Sequence, residues 1–479
     1  MTSTIKYLLL SFSLSAGAVQ AALPPEVDAA LAKAGVPASA LGVAILPVDG
    51  GPAVLLENAR RPMNPASTMK LVTTWSALNL LGPAYSWKTQ LLADAPVANG
   101  VLNGPLYLKG SGDPKLTFER MWLLVRELRA AGVTDLRDGL VLDRSAFRLP
   151  ATTSPFDDDS DEGGQPYLVT PDALVSNFGS ARLMLRSDGN SVRATLEPAL
   201  DKVRLDGAVK LAPNASCSAW KDGVQLRLDD AGQTASVHLA GRFPPDCAGD
   251  RYFAVLDARS YTASLFRSLW QEQGGRFSGQ VREGVTPPQA KVLATSISPP
   301  LTEMVRDINK FSNNLMARQL FLTVGATSSE VATDTVAAAD AHVRGWLQQQ
   351  GLAMSELHLE NGAGLSRVER ISAEHLGQML VSAYRSPLAA EFISSLPIVG
   401  IDGTMKKRLK SEAGAAHIKT GTLKDVRAVA GYVRDSQGSD WVVVALLNHP
   451  RAPLAMPVLD TLLRWVTTRS SAELASLRR

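Results

Sequence analysis

The chain is short of the side chains that most often announce chemistry. Its six histidines are His238, His342, His358, His375, His417 and His449. None stands in an H-E-x-x-H pair, which excludes a zinc peptidase of that type. There is no G-x-S-x-G elbow, no Walker-type phosphate loop and no dinucleotide fingerprint. The simplest α/β-hydrolase, nucleotide and redox readings go with them. Charge of one sign is scarce too: a formal net charge of +3 over 479 residues leaves no nucleic-acid footprint. Beyond the N-terminus no run of about 18 uninterrupted apolar residues occurs, so no later membrane span is expected. The two cysteines, Cys217 and Cys247, lack the matching histidines of a zinc site. They stand either as one disulfide in an oxidising compartment or as two thiols.

What is present begins with an export signal. Lys6 precedes an apolar stretch from Tyr7 to about Ala18, and Val19-Gln20-Ala21 supplies a small-residue cleavage pattern. That pattern predicts a secretory signal peptide over residues 1–21, removed near Ala21, and a mature protein in the periplasm. The length suggests about two to four domains.

Helix and strand patterns are mixed at both ends of the chain, with a β-rich middle. Residues 40–59 alternate apolar runs around Asp49-Gly50-Gly51 and predict a hairpin. A helix follows Ser67 and ends near Gly82-Pro83. Residues 84–290 read mainly as short strands, with helices near Phe118–Ala131 and Ser260–Gln273. Helical patterning resumes over Leu301–Val324 and Glu330–Gln350, and two strands and a closing helix near Pro457–Thr468 finish the chain. This order predicts a discontinuous α/β (α+β) domain, 22–83 with 291–479, interrupted by an insertion. The insertion divides into 84–175 with 256–290 and, nested within it, a β-rich 176–255. The acidic loop at Asp157, Asp159 and Asp161 has the alternate spacing of a calcium loop. It fails at Glu162, where glycine is needed, and at Leu168, where a bidentate glutamate is needed.

The informative signal is Ser67 with Lys70, three residues apart at a helix start after Pro65. Positions i and i+3 share a helical face, so the lysine amine can reach the serine hydroxyl and serve as its base without any histidine. Two further motifs follow in order: Ser312-Asn313-Asn314, an S-x-N pattern at a helix head, and Lys419-Thr420-Gly421 before strand-forming residues. Together the three are far less frequent by chance than S-x-x-K alone.

At this point the chain resembles the penicillin-binding protein and serine β-lactamase superfamily, whose signature is this ordered triplet. The 245 residues between Ser67 and Ser312 narrow the likeness further. So large a β-rich insertion resembles the low-molecular-mass class C penicillin-binding proteins, the D-alanyl-D-alanine carboxypeptidase/endopeptidase family. The strings Leu108–Pro114, Asn361–Arg367 and Gly400–Lys410 fit the same family.

The resemblance implies a penicillin-binding fold and an exported serine DD-peptidase. It implies Ser67 as nucleophile, Lys70 as base, Ser312 as proton relay, Asn314 holding Lys70 and a substrate amide, and Lys419 placing a cation by the nucleophile. Asn313 is expected to face away. Thr420 and Thr422 are expected to grip the terminal carboxylate, and Gly421 to let substrate approach the strand. The backbone N–H groups of Ser67 and Thr422 form the implied oxyanion hole. Arg367, Asp143 and Lys424 are the implied contacts to the far end of the stem-peptide side chain, with Lys424 standing where the family has glutamine. The expected partners are peptidoglycan stem peptides and β-lactams, with no metal or organic cofactor and no nucleic acid. The rival readings are a β-lactamase and a non-catalytic wall-binding or β-lactam-sensing module.

Overall fold

The computed structural model describes residues 23–150, 164–328 and 334–476. The signal segment and the acidic loop at Asp157–Glu162 lie outside the described residues. The two ends of the chain meet in one antiparallel five-stranded sheet. Its order is Ala416–Leu423, Val426–Arg434, Asp440–Asn448, Leu41–Pro47, Leu55–Glu57. The predicted hairpin is there, with Ile45 opposite Leu55, and Val43 pairs with Ala445 on the other side.

Every residue of Leu41–Pro47 is buried, because both faces of the sheet are covered. Side chains alternate along a strand. Val43 and Ile45 point into a layer containing the helices Pro25–Ala34 and Met456–Thr468. Ala44 and Leu46 point into the opposite layer, with the helices Lys70–Leu81, Asn314–Ala326 and Ala373–Tyr384. A strand buried on both faces reads as one apolar run, as LGVAILP does.

The insertion leaves and rejoins this body through neighbouring strands. Lys88–Ala93 and Lys291–Ile297 pair antiparallel in a second five-stranded sheet, so the long detour begins and ends at one place. The predicted helices appear as Phe118–Ala130 and Ala258–Glu272. One apolar core, from Leu91 through Leu183 and Phe243 to Ala294, runs through the whole insertion. Cys217 and Cys247 form a disulfide across Cα atoms 5.7 Å apart. Gln319, on the helix Asn314–Ala326, ties the insertion to the main body by accepting from the Asp172 N–H and donating to the Asp172 carbonyl. No helix among the described residues is long and apolar enough to cross a membrane.

One sequence expectation needs correction. The single helical run over Leu301–Val324 is two helices, Leu301–Phe311 and Asn314–Ala326. Ser312 stops the first in the left-handed region (φ 56°, ψ 38°), and Asn313 starts the second by accepting from the Met316 N–H. Apolar periodicity continues across the corner because both helices pack on one core, so pattern alone does not reveal the break.

Candidate active site

Ser67 does not cap its helix. It lies in the 3-10 turn Ala66–Met69, which runs into Lys70–Leu81 with no side-chain capping contact. The turn is held from behind. Asn64 accepts from the Ala66 N–H and donates to the Ser366 carbonyl, while the Asn448 amide brackets the Asn64 backbone at 2.8 and 2.9 Å. Ala66 is thereby fixed at a φ of 45°, a conformation that costs an L-residue about 1–3 kcal/mol and persists only where the surroundings enforce it.

Lys70 is fully buried under this turn, its Nζ 2.9 Å from Ser67 Oγ and 2.7 Å from Asn314 Oδ1. It also donates to the Ala363 carbonyl. Burial holds Lys70 well below the ordinary lysine range. Lys419 presses it further down and Glu369 pushes the other way. A buried amine of this kind can stand neutral and accept a proton.

Lys419 is the second buried amine, brought in by the edge strand Ala416–Leu423. Its Nζ donates to Ser312 Oγ and to the Thr420 carbonyl, both at 2.8 Å. Burial pushes its pKa down to about 7. The left-handed corner at Ser312 aims that hydroxyl into the cleft, and two residues later Asn314 begins its helix with its amide on Lys70. Asn313 faces away, as expected.

These side chains border a cavity of about 490 Å³. Ser67, Ser312, Asn314, Thr420, Thr422, Arg367 and Lys424 all line it. Thr420 donates to Thr404 Oγ1 at 2.8 Å, and Arg367 lies 3.4 Å from Asp425. Two expectations change. Asp143 does not reach this cavity: it is fully buried, and its carboxylate accepts from the Ser145 N–H and hydroxyl and from the Thr286 N–H. Those three bonds hold its pKa below the ordinary carboxylate value despite burial. Gly421 makes room for protein. A β-carbon there would stand 2.7 Å from the Pro65 carbonyl and 3.1 Å from Ala66 Cβ, so the missing side chain lets the edge strand lie against the nucleophile's turn.

Sequence reasoning missed Tyr167, Thr404, Arg318 and Glu369. Tyr167 and Thr404 line the cavity, and Thr404 stands in the Gly400–Lys410 string without a motif of its own. Glu369 is fully buried, and its Oε1 accepts from the N–H groups of Glu360, Asn361 and Gly362. It therefore shapes the loop whose next carbonyl, that of Ala363, holds Lys70. A glutamate two residues after an arginine carries no signal of burial. Among the described residues no group of three or more His, Cys, Asp or Glu is placed to hold a metal ion.

An antiparallel sheet covered by helices on both faces, with a serine–lysine pair in the cleft beside its Ala416–Leu423 edge, is the architecture of penicillin-binding proteins and serine β-lactamases. Within that class the chain belongs to the D-Ala-D-Ala carboxypeptidase 3 (S13) family, whose model matches residues 23–464. It is 28% identical to the D-alanyl-D-alanine carboxypeptidase of Actinomadura sp. (strain R39), over 92% of this chain and 84% of that one. It is 26% identical to the D-alanyl-D-alanine carboxypeptidase DacB of Haemophilus influenzae, over 80% of each. The crystal structure of penicillin binding protein 4 (dacB) from H. influenzae has the same fold. Its TM-score is 0.74 at 23% identity, covering 91% of this chain and 98% of that one.

Proposed function

We propose that the protein is an exported serine D-Ala-D-Ala carboxypeptidase and endopeptidase of peptidoglycan. It would remove terminal D-alanine from stem peptides, cleave D-alanyl-diaminopimelate cross-links, and be acylated by penicillin on Ser67. The observation that carries this reading is the 2.9 Å approach of Ser67 Oγ to a buried Lys70 amine whose proton affinity is depressed. Membership of the S13 family supplies the substrate class.

In the first step neutral Lys70 takes the Ser67 hydroxyl proton as Oγ attacks the penultimate D-alanine carbonyl. The terminal carboxylate sits by the Lys419 cation and the hydroxyls of Thr420 and Thr422. The N–H groups of Ser67 and Thr422 receive the oxyanion. The leaving amine, of D-alanine or of the cross-link, takes its proton through Ser312, and an acyl-enzyme remains on Ser67. Water, deprotonated by Lys70, then releases the peptide and regenerates the serine. Asn314 keeps Lys70 aimed and holds a substrate amide, and Arg367 and Lys424 meet the stem peptide's side chain.

The test uses purified mature protein and its Ser67→Ala variant with cross-linked and uncross-linked muropeptides, products read by mass spectrometry. D-Alanine release and cross-link cleavage by the wild type, with a penicillin adduct on Ser67, are expected. Activity persisting in Ser67→Ala refutes the mechanism, and penicillin turnover much faster than peptide turnover makes the protein a β-lactamase instead.

A further inference from the structure

We propose that Arg318 docks a free carboxylate of the substrate peptide, upstream of the scissile bond, in a second cavity beside the catalytic cleft. The inference rests on the peptidase reading above and adds to it a preference for acidic over amidated stem peptides.

Arg318 follows Asn314 by one helical turn on the helix Asn314–Ala326, so both project from the same face. Asn314 reaches Lys70, and Arg318 reaches the neighbouring cavity, which has a volume of about 790 Å³. Leu365 and Arg367 line this cavity as well as the one that holds Ser67, so that loop borders both.

Among the described residues, Arg318 differs from the other cations in the second cavity by making no ion pair. Arg144 is paired with Asp172 and Glu283, Arg259 with Glu283, and Arg367 with Asp425. Arg318 makes only a 3.4 Å bond from Nη1 to the Val169 carbonyl, and its buried Nε has no partner. Among the described residues Glu360 and Glu369 favour its charge through space, without an ion pair or hydrogen bond to it. Glu369 has already committed one oxygen to three backbone N–H groups. Nor do the cavity's other acids among the described residues offer a partner: Asp172 and Glu283 hold arginines, and Asp257 caps the helix Ala258–Glu272.

A guanidinium shielded from water without a counter-ion is costly. Its planar fork matches a carboxylate bidentately, and a carboxamide, having one acceptor oxygen and no charge, far less well. A peptide acylating Ser67 extends away from the Lys419 side of the cleft, past Leu365 and Arg367, and so toward Arg318. An acidic residue upstream of the scissile bond would supply the missing counter-ion.

The test compares two synthetic stem peptides ending in D-Ala-D-Ala, identical except that the upstream glutamyl residue carries a free α-carboxylate or a carboxamide. For the wild type, kcat/KM is expected to favour the carboxylate about tenfold or more, chiefly through KM. In Arg318→Met that preference collapses to within about twofold, and Arg318→Lys, which keeps the charge without the fork, falls between. Equal kcat/KM for the two peptides in the wild type, or a preference that survives Arg318→Met, overturns the proposal. Should Arg318→Met not fold, the Arg318→Lys comparison decides, with an undiminished preference counting against docking. If neither peptide is hydrolysed, the peptidase reading fails instead. Calorimetric binding of both peptides to Ser67→Ala protein then still measures the carboxylate preference, and equal affinities sink it.

Discussion

Lys70 and Lys419 bury two amines in one cleft, and the charge on the second lowers the proton affinity of the first. Burial depresses both, and Lys70 bears in addition the repulsion of Lys419, against the opposing pull of Glu369. The proposed mechanism divides the two residues into a neutral base, Lys70, and a cation, Lys419.

That division sets a pH profile. Activity requires Lys70 without its proton, so kcat/KM rises with pH as Lys70 titrates. It requires Lys419 with its proton, so kcat/KM falls again as pH passes about 7. A bell with its alkaline limb near that value is expected for D-Ala-D-Ala peptides. A peptide whose terminal carboxylate is esterified should lose the alkaline limb, since it has no charge for Lys419 to hold. An identical limb for both substrates would remove Lys419 from carboxylate recognition.

The same burial makes Lys419 a stability liability. Its folded pKa lies below its unfolded one, so between about 7 and 10.5 the unfolded chain binds the extra proton and stability rises with pH. Lys419→Met is expected to abolish peptide hydrolysis and yet raise Tm at pH 7. The advantage should shrink as pH approaches 10 and the wild-type amine no longer favours unfolding. Thermal denaturation of both proteins from pH 7 to 9.5 measures the convergence. Parallel curves would place the Lys419 pKa elsewhere.

Gly364 is expected to tolerate nothing larger. Its φ is 76°, and a β-carbon there would stand 1.8 Å from the Ala66 carbonyl oxygen and 2.7 Å from the Ser67 nitrogen. Gly364→Ala therefore pushes directly on the nucleophile's turn. It should eliminate penicillin acylation and cost about 1–3 kcal/mol of stability. Gly345, inside the helix Thr335–Gln349, has nothing within 4 Å of its would-be β-carbon. Gly345→Ala should stabilise by about 0.5–1 kcal/mol without affecting acylation. Labelling with a fluorescent penicillin and urea denaturation distinguish the two.

The Cys217–Cys247 disulfide closes a loop of 30 residues, for which loop-closure entropy predicts about 3–4 kcal/mol of stabilisation. Both cysteines lie in the insertion, away from the sheet that carries Lys419. Cys217→Ser with Cys247→Ser should lower the urea midpoint while folded protein still acylates at Ser67. An unchanged midpoint would mean that the insertion's shared apolar core holds this loop unaided.

The catalytic triplet was legible in the sequence because its chemistry is local. Ser67 and Lys70 are one helical turn apart, and Ser312 and Asn314 straddle a single corner. The strands and helices of the main sheet were legible for a related reason, since runs such as LGVAILP announce burial on both faces. Asp143 and Gly421 were misjudged because burial and neighbour are set by tertiary contacts. Asp143 meets Thr286 from a loop 143 residues further along the chain, and Gly421 lies directly against Pro65. Arg318 and Glu369 were invisible for the same reason. An arginine in a helix and a glutamate in a loop signify solvent unless one knows that a cavity and a buried lysine lie beside them.

The sheet that joins the two ends of the chain also orders events in time. Lys419 reaches the cleft only on the strand Ala416–Leu423, which pairs through two further C-terminal strands onto Leu41–Pro47 near the start. A polypeptide still being made, or cut short before Ala416, carries Ser67 and Lys70 yet has neither Lys419 nor the sheet to align them. On the proposed mechanism, completion of the last strands is thus the step that arms the hydrolase, and an unfinished copy is expected to be inert.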